Sequence, residues 1–333
     1  MPRFEIKVDY FVELNNKCDE RKIAVLTGSG GYIGHNLNSY LLANGWETVL
    51  LVRLGSEASF GSPFIEGNCQ ILAYDGTQNS LASLQFRPGA DVVFFHLAAY
   101  SEVGALSDTE RFIDSNIRFG IHLLEYMVKN KYRNFVFAES YWQFDSEGRL
   151  GGNTLYAATK SAFSLLAEYY SKDVRINSLV LYDVYGPCDF RGKIVNVLLN
   201  SAVTKSPVNL TLGEQFLDYV HIDDVVRAFE LAGLSLLSLA NNRQRKFCRS
   251  TVRTMEVRKL KEFVEILGRA VGHNPNVRWG VKPYPAYQIM IPWFPSEKFQ
   301  LTGWQPKYTF LSGLKSIINN EQNKTNDLHS KLQ

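Results

Sequence analysis

Short apolar runs alternate with amphipathic stretches along roughly the first half of this 333-residue chain. The apolar runs have the length of buried strands, and the stretches between them repeat their apolar residues with the period of a helix. Strands are predicted at residues 23–26, 47–53, 70–76, 91–99, 134–138 and 175–181. Helices are predicted at residues 35–44, 112–130 and 155–171. This regular alternation predicts an α/β fold with a doubly wound parallel sheet.

The alternation ends after Pro187. Beyond it we expect a helix over 189–205, a segment at 218–224 that enters a helix ending near residue 239, and a helix over 257–271. Prolines make 282–293 a loop or a short strand. We therefore divide the chain into an N-terminal arm (1–21), an α/β domain (22–182), a smaller mixed α/β lobe (183–318, with 218–240 returning to the first domain) and a polar tail (319–333) that we expect to be frayed.

A glycine-rich turn joins the first predicted strand to the first helix. Gly28, Gly31 and Gly34 are spaced G-x-x-G-x-x-G, with Tyr32 and Ile33 between the last two. Glycines at such a junction allow a tight turn, a close approach of backbone to a pyrophosphate, and close packing of helix on strand. The free N–H groups of the helix N-terminus then meet the phosphates. The order of strand, turn and helix predicts a dinucleotide site in a Rossmann-type domain, rather than a glycine-rich loop without a ligand.

Residues at the C-terminal ends of the next strands are candidates for cofactor contact, because ligands of open parallel sheets bind at that edge. Arg53 stands where an arginine accommodates the 2′-phosphate of NADP, so we favour NADP over NAD; the alternative is a surface arginine. Asp75, followed by Gly76, either lies near the adenine or is an ordinary turn residue. Small Ala98 and Ala99 leave room for the cofactor ribose.

Tyr156 and Lys160 form a Tyr-x-x-x-Lys pair on one face of a predicted helix. In a chain with 17 tyrosines such a pair arises by chance, so its weight comes from its place after the fifth strand, which Ser140 ends. A free tyrosine titrates near ~10, and a nearby ammonium together with a cofactor's positive ring favours the phenolate. Tyr156 could then exchange a proton with a carbonyl or alcohol oxygen that Ser140 also hydrogen-bonds, while Lys160 holds the nicotinamide ribose.

Together these features resemble the extended short-chain dehydrogenases that act on nucleotide sugars, over about residues 22–318. The resemblance is carried by 27–34, 97–99, Asn116, Ser140, Tyr156, Lys160, 185–187, 213–224 and 292–306. It implies cofactor contacts from Gly28, Gly31, Tyr32, Ile33, Gly34, Arg53, Asp75, Gly76, Leu97, Ala98, Ala99, Asn116, Tyr156, Lys160 and Val184. Within that family the chain is similar to the synthases that make CDP-abequose or CDP-paratose by reducing a 4-keto sugar, in deoxysugar and surface-polysaccharide synthesis.

The reaction is inferred from residues that the family's other branches require. The 4,6-dehydratases carry an Asp-Glu pair directly after the catalytic Ser or Thr, whereas Tyr141 and Trp142 follow Ser140 here. GDP-fucose synthases epimerise with a Cys and a His, where this chain has Trp142 and Cys188. The expected reaction is therefore NADPH-dependent reduction of a C4 ketone, with Tyr156 as the acid. A 4-epimerase with tightly bound NAD and a non-catalytic NADP-binding sensor remain alternatives.

The substrate contacts depart from the family pattern. Leu217 replaces an arginine that often binds the substrate diphosphate, so we expect this role to fall to Arg191, Lys193 or Arg278, unless these are solvated surface charges. The other substrate-contact candidates are Ser140, Tyr141 and Asp183, the last of which replaces a common Asn. The basic run from 243 to 261 could attract an anionic substrate, but such a run usually forms a solvated helix face.

The composition of the chain mainly argues against several classes of protein. The net charge of +3 gives no indication of nucleic-acid binding, and no apolar run approaches the length of a membrane span. The 4 cysteines lie far apart, which disfavours a metal site and a disulfide framework and fits a cytoplasmic location. His96, inside an apolar strand, is expected to be a hydrogen-bonded core residue rather than a ligand. The resemblance further implies a homodimer formed through the helices at 112–130 and 155–171.

Overall fold

The computed structural model describes residues 21–56, 68–101, 108–239 and 247–331. Its strands are β1 (Ile23–Thr27), β2 (Glu47–Arg53), β3 (Cys69–Tyr74), β4 (Val92–His96), β5 (Asn134–Ser140), β6 (Arg175–Leu181), β7 (Asp183–Tyr185), β8 (Val208–Asn209), β9 (Phe216–Leu217), β10 (Tyr219–His221), β11 (Phe247–Val252), β12 (Arg258–Lys259) and β13 (Val277–Arg278). Its helices are α1 (Tyr32–Ala43), α2 (Thr109–Ile113), α3 (Phe119–Asn130), α4 (Leu155–Tyr170), α5 (Ile194–Thr204), α6 (Ile222–Leu237), α7 (Leu260–Val271) and α8 (Phe310–Lys331).

A parallel seven-stranded sheet of order β11-β6-β5-β4-β1-β2-β3 forms the centre of the first domain. The strand order reverses at β1, between β4 and β2, which is where ligands bind in doubly wound sheets. Helices α1 and α6 pack together on one face, around residues such as Leu41, Phe95 and Phe229. Helices α3 and α4 cover the opposite face, around Leu124 and Phe163. The predicted fold class is confirmed, because apolar strands covered on both sides leave few other architectures.

Several element boundaries differ from the sequence prediction. Helix α1 begins at Tyr32, directly on the glycine turn, and not at residue 35. The helix predicted over 112–130 is interrupted by a π-helical turn at Asp114–Arg118. The helix predicted over 189–205 begins only at Ile194, after a loop in which Cys188 and Gly192 have positive φ angles of 57° and 62°. Left-handed backbone is incompatible with a continuous helix, so α5 cannot start earlier.

The interpretation of the basic run as a solvated helix face is wrong for residues 247–253, although Lys261 lies on α7 with an exposed side chain. After residue 246 the chain forms strand β11, which pairs in parallel with β6 at the sheet edge. Arg253 is buried, and Arg249 is ion-paired with Glu139 of β5. The residues from 240 to 246, including the start of the run, lie outside the described residues.

The smaller lobe has its own apolar core, in which Leu198 of α5, Tyr219 of β10, Phe263 of α7 and Phe310 of α8 pack together. Three two-stranded sheets, β10-β7, β12-β9 and β13-β8, fix its loops. The backbone of α8 is helical as far as Lys331, so the polar tail predicted from 319 continues this helix. No helix within the described ranges has both the length and the apolar character needed to cross a membrane.

Candidate active site

The glycine turn after β1 has the geometry of an anion site. Gly28 has a φ of 73°, and a Cβ placed on it would lie 2.6 Å from the backbone N of Ala98. A Cβ on Gly34 would lie 2.2 Å from the carbonyl oxygen of Gly28, so both positions require glycine. Helix α1 starts beyond Gly31 with no side-chain cap and no acidic residue in its first turn. Its N–H groups are therefore available to an anion, and the turn fits the diphosphate of a dinucleotide.

Thr27 joins the ends of β1 and β4 beside this turn. Its hydroxyl accepts hydrogen bonds from the backbone N–H groups of Leu97 (3.2 Å) and Ala98 (3.1 Å) and shares a 2.8 Å bond with His96 Nδ1. Burial, together with the charge of Lys160, lowers the pKa of His96 to about 3. His96 is thus a neutral core residue, as its place in an apolar strand predicted. The network holds the chain at Leu97–Ala99 against the glycine turn.

The predicted contacts at the ends of β2 and β3 have different surroundings. Arg53 is exposed at the end of β2, and within the described part of the chain no hydrogen bond or ion pair engages its guanidinium. Asp75 follows β3 and accepts hydrogen bonds from the backbone N–H (2.8 Å) and hydroxyl (2.7 Å) of Thr77. These bonds lower the pKa of Asp75 and make it a turn residue, with Gly76 at a φ of 93°. Contact of either side chain with an adenosine stays a prediction.

Asn116 lies in the π-helical turn, and its side chain forms hydrogen bonds with two neighbouring segments. Its amide oxygen accepts from Tyr100 N at 2.7 Å, and its amide nitrogen donates to Tyr100 O at 3.0 Å and to the Thr159 hydroxyl at 2.9 Å. Both amide hydrogens are therefore used inside the protein. Asn116 therefore links the segment after β4 to helix α4. Its contact with a cofactor stays a prediction.

Ser140, Tyr156 and Lys160 come together where β5 ends and α4 begins. Thr154 caps α4 by accepting the Ala157 N–H at 3.1 Å, which fixes the first turn that carries Tyr156. The Tyr156 phenol lies close enough to Ser140 for the serine side chain to lower its pKa. The Lys160 ammonium donates to the Ala138 carbonyl oxygen at 2.5 Å. A serine, a tyrosine and a lysine thus meet at the sheet edge that also carries the glycine turn.

Burial dominates the electrostatics of this group. It raises the pKa of Tyr156, and the Ser140 hydrogen bond offsets part of that effect. Burial also lowers the pKa of Lys160 to about 8, against the opposing charge of Glu139. In the protein alone the Lys160 ammonium bonds to a backbone carbonyl, and its joint effect with a cofactor's positive ring on the Tyr156 phenol stays a prediction. Tyr156 is a neutral phenol, the form that can donate a proton.

Two structural features beside this group were not predicted from the sequence. The Gln143 side chain accepts the Ser140 N–H at 2.8 Å, and the Ser140 hydroxyl accepts the Trp142 N–H at 3.3 Å. This capping box is visible in the sequence as Ser-x-x-Gln after a strand. The second feature, the ion pair between Glu139 and Arg249, joins residues far apart in sequence and has no local signal.

Only some of the residues predicted to contact the substrate lie close together in the structure. Tyr141 is buried, stacks on Tyr182 with centroids 5.3 Å apart, and has its pKa raised by burial and by the nearby charge of Asp183. Ser140 pairs with Leu181 in the β5–β6 register, so Asp183 follows close to Ser140. Burial raises the pKa of Asp183 to about 6, and the charge of Lys193 lowers it.

Arg191 lies beside the segment that carries Asp183, whereas Arg278 lies elsewhere in the smaller lobe. The Arg191 guanidinium forms a bidentate ion pair with Asp189, donates to Val184 O at 2.9 Å and lies 4.5 Å from the centre of the Tyr32 ring. It therefore sits against the glycine turn. Arg278 is exposed on β13 of the smaller lobe.

Leu217, which replaces the expected arginine, is buried in the apolar core of the smaller lobe. The neighbouring Asp218 is paired with Arg253 at 3.0 Å and also accepts the backbone N–H of Thr254 at 2.9 Å. The segment is therefore structural at this point, and a diphosphate contact must come from other side chains.

Comparison with known proteins places these features in a family. The model of the NAD dependent epimerase/dehydratase family matches residues 24–239. A CDP-abequose synthase of Yersinia pseudotuberculosis is 32% identical over 213 residues, covering 61% of this chain and 70% of the relative. A CDP-abequose synthase of Salmonella typhimurium strain LT2 is 23% identical over 306 residues, covering 90% and 98%. The chain belongs to the NAD dependent epimerase/dehydratase family.

The fold is shared with solved structures at low sequence identity. One is the UDP-glucuronic acid 4-epimerase of Bacillus cereus in complex with UDP-glucuronic acid and NAD, which has a TM-score of 0.74 and 19% identity. The match covers 90% of this chain and 99% of that one. The family architecture therefore extends through the smaller lobe as well as the parallel sheet.

Proposed function

We propose that this chain is an NADPH-dependent reductase that converts the C4 ketone of a nucleotide-linked 4-keto-deoxy sugar to a hydroxyl. Membership of the family and the similarity to two CDP-abequose synthases support a CDP-linked sugar as the substrate class. The observation that carries the proposal is the buried, neutral Tyr156 phenol close to Ser140, with Lys160 one turn further along the same helix. Tyr141 and Trp142 follow Ser140, so that stretch offers no carboxylate for dehydration.

Ser140, Tyr156 and Lys160 would each have a separate role in such a reduction. The bound dinucleotide would supply hydride to the sugar carbon. Ser140 donates a hydrogen bond to the C4 oxygen as charge develops on it. Tyr156 gives that oxygen its proton and is left as a phenolate, which the nearby Lys160 ammonium stabilises until solvent returns a proton. The high pKa that burial gives Tyr156 keeps the proton in place until the oxygen becomes basic.

The cofactor preference is proposed from Arg53. Its exposed guanidinium at the end of β2 is free to form charge-assisted hydrogen bonds with a 2′-phosphate. A cofactor exchanged at each turnover suits a reductase, since every reduction consumes one hydride.

A homodimer is proposed from the outer faces of α3 and α4. Val128, Leu165, Leu166 and Tyr169 are exposed there, Leu165 with 59% of its surface accessible. Large apolar side chains gathered on adjacent helices are typical of a subunit interface.

The direct test is NADPH oxidation in the presence of CDP-, dTDP- and GDP-linked 4-keto-6-deoxy sugars, each made in place by its own dehydratase. We expect oxidation with the CDP-linked sugar. A purified protein that carries NAD and interconverts sugars without added cofactor would instead be a 4-epimerase. NADPH binding without oxidation of any sugar would favour the sensor.

A further inference from the structure

Three polar side chains form a cluster behind the candidate catalytic residues, in which Glu139 and Ser164 are buried and Arg249 is partly exposed. Glu139 of β5 accepts hydrogen bonds from Arg249 Nε at 2.7 Å and Arg249 Nη2 at 3.2 Å. The hydroxyl of Ser164, on α4, donates to Glu139 and accepts from Arg249 Nη2, the latter at 2.7 Å. The Glu139 side chain has no exposed surface. The carboxylate is thus fully desolvated and fixed from two directions.

The cluster adjoins Lys160 through both elements that hold it. Ser164 lies one helical turn after Lys160 on the same face of α4. Glu139 directly follows Ala138, whose carbonyl oxygen accepts the Lys160 ammonium. Consecutive side chains of a strand leave opposite faces, so Glu139 and Ser140 point apart. Glu139 therefore cannot touch the reacting group and can act on it only through Lys160.

A buried ammonium bonded only to a neutral carbonyl would lose its proton easily, since burial disfavours the charged form. Lys160 is 4% exposed, and Ala138 O is the hydrogen-bond acceptor found for it among the described residues. A negative charge close by opposes this loss. Buried ion pairs contribute little net stability compared with apolar packing, so stability alone does not explain a carboxylate here.

We propose that Glu139 is a positioning residue for the catalytic group: its carboxylate, oriented by Ser164 and partly neutralised by Arg249, keeps the Lys160 side chain as an ammonium. This rests on the role proposed above for Lys160. Strand β11, which supplies Arg249 from the sheet edge, thereby becomes part of the electrostatic surroundings of the site.

The charge state of Lys160 depends on the ionisable side chains that surround it on α4, β4, β5 and β11. Tyr156 on the same helix is neutral, and His96 of β4 is neutral because its pKa is about 3. Glu139 of β5 is the anion that raises the pKa of Lys160, while burial brings that pKa down to about 8. Arg249 of β11 opposes Glu139. Removing the anion and removing the second cation should therefore move the Lys160 titration in opposite directions.

The test is an NMR titration of the full chain with lysines labelled at Cε, in which the Lys160 signal is identified by its loss in Lys160→Met. Glu139→Gln keeps the shape but not the charge, and we expect its Lys160 midpoint to fall by about one pH unit, as for loss of a nearby opposite charge. Arg249→Gln should raise the midpoint. Ser164→Ala, which leaves both charges in place, should change it least.

Opposite shifts in Glu139→Gln and Arg249→Gln would support the proposal. Unchanged midpoints, or shifts in the same direction, would overturn it, because a merely structural cluster gives no sign reversal. If Glu139→Gln does not fold, the upward shift in Arg249→Gln decides. The titration needs no substrate or cofactor, so its outcome stands apart from that of the reductase assay.

Discussion

The side-chain oxygen of Gln143 accepts the backbone N–H of Ser140 at 2.8 Å, across a single turn of 3₁₀ helix. This bond fixes the backbone that presents the Ser140 hydroxyl to Tyr156. We expect Gln143→Ala to reduce kcat by about 10-fold, since losing such a bond to a buried N–H costs about 1–3 kcal/mol. Steady-state kinetics would test this, with NADPH affinity as the control that should not change. Unaltered kcat would show that Ser140 is positioned by other contacts.

Tyr156→Phe removes the proposed acid and leaves the ring in place. General acid catalysis contributes about 10²-fold or more, so kcat should fall by at least that factor. Binding of NADPH, measured by fluorescence, should be nearly unchanged. Turnover at the normal rate with weakened NADPH binding would contradict the assigned role.

Arg53→Asp tests the cofactor preference. Charge-assisted hydrogen bonds are worth about 1.5–3 kcal/mol, so the KM for NADPH should rise by about 10-fold or more. NADH should become the better cofactor, because aspartate can accept a ribose 2′-hydroxyl. Arg53→Gln is the matched control, which should weaken NADPH binding without favouring NADH. An unchanged ratio of kcat/KM for the two cofactors would remove the argument for NADP.

The pH dependence should follow Lys160. The proposed reduction requires a charged Lys160 and a protonated Tyr156, and burial has lowered the pKa of Lys160 to about 8. An ammonium with a lowered pKa loses its proton at a lower pH, so kcat/KM should decline above about pH 8. A decline only near the pKa of a free lysine, ~10.4, would mean that the ammonium is solvated or paired more strongly than the structure indicates.

The proposed interface can be tested with two leucines of equal exposure. Leu165 on α4 and Leu212 in the smaller lobe each have 59% of their surface accessible. Leu165→Glu should convert a dimer into monomers, because a charge would be buried in an apolar contact. Leu212→Glu should leave the dimer intact. Light scattering after size exclusion would distinguish the two, and a wild-type monomer would refute the interface.

The candidate catalytic group of Ser140, Tyr156 and Lys160 shows how much local sequence reasoning can predict. Ser140, Tyr156 and Lys160 could be selected because each stands at a predictable point, a strand end or one face of a helix. Their electrostatics could not be predicted, since the pKa of Tyr156 depends on how deeply it is buried and on where the Lys160 ammonium is directed. The hydrogen bonds of Asn116 could not be predicted either, since its side-chain amide pairs with Tyr100 and Thr159 from two other segments.

The sequence by itself determined the parallel sheet, the glycine turn and the position of the Tyr-x-x-x-Lys pair, because these follow from local periodicity and backbone sterics. The tertiary structure alone decided which charges meet. Arg249 crosses from the sheet edge to Glu139, Arg191 turns toward Tyr32, and Arg253 is buried with Asp218. Such pairings join residues from separate elements, and their energies depend on burial and on distances of a few ångströms, which no local pattern of residues records.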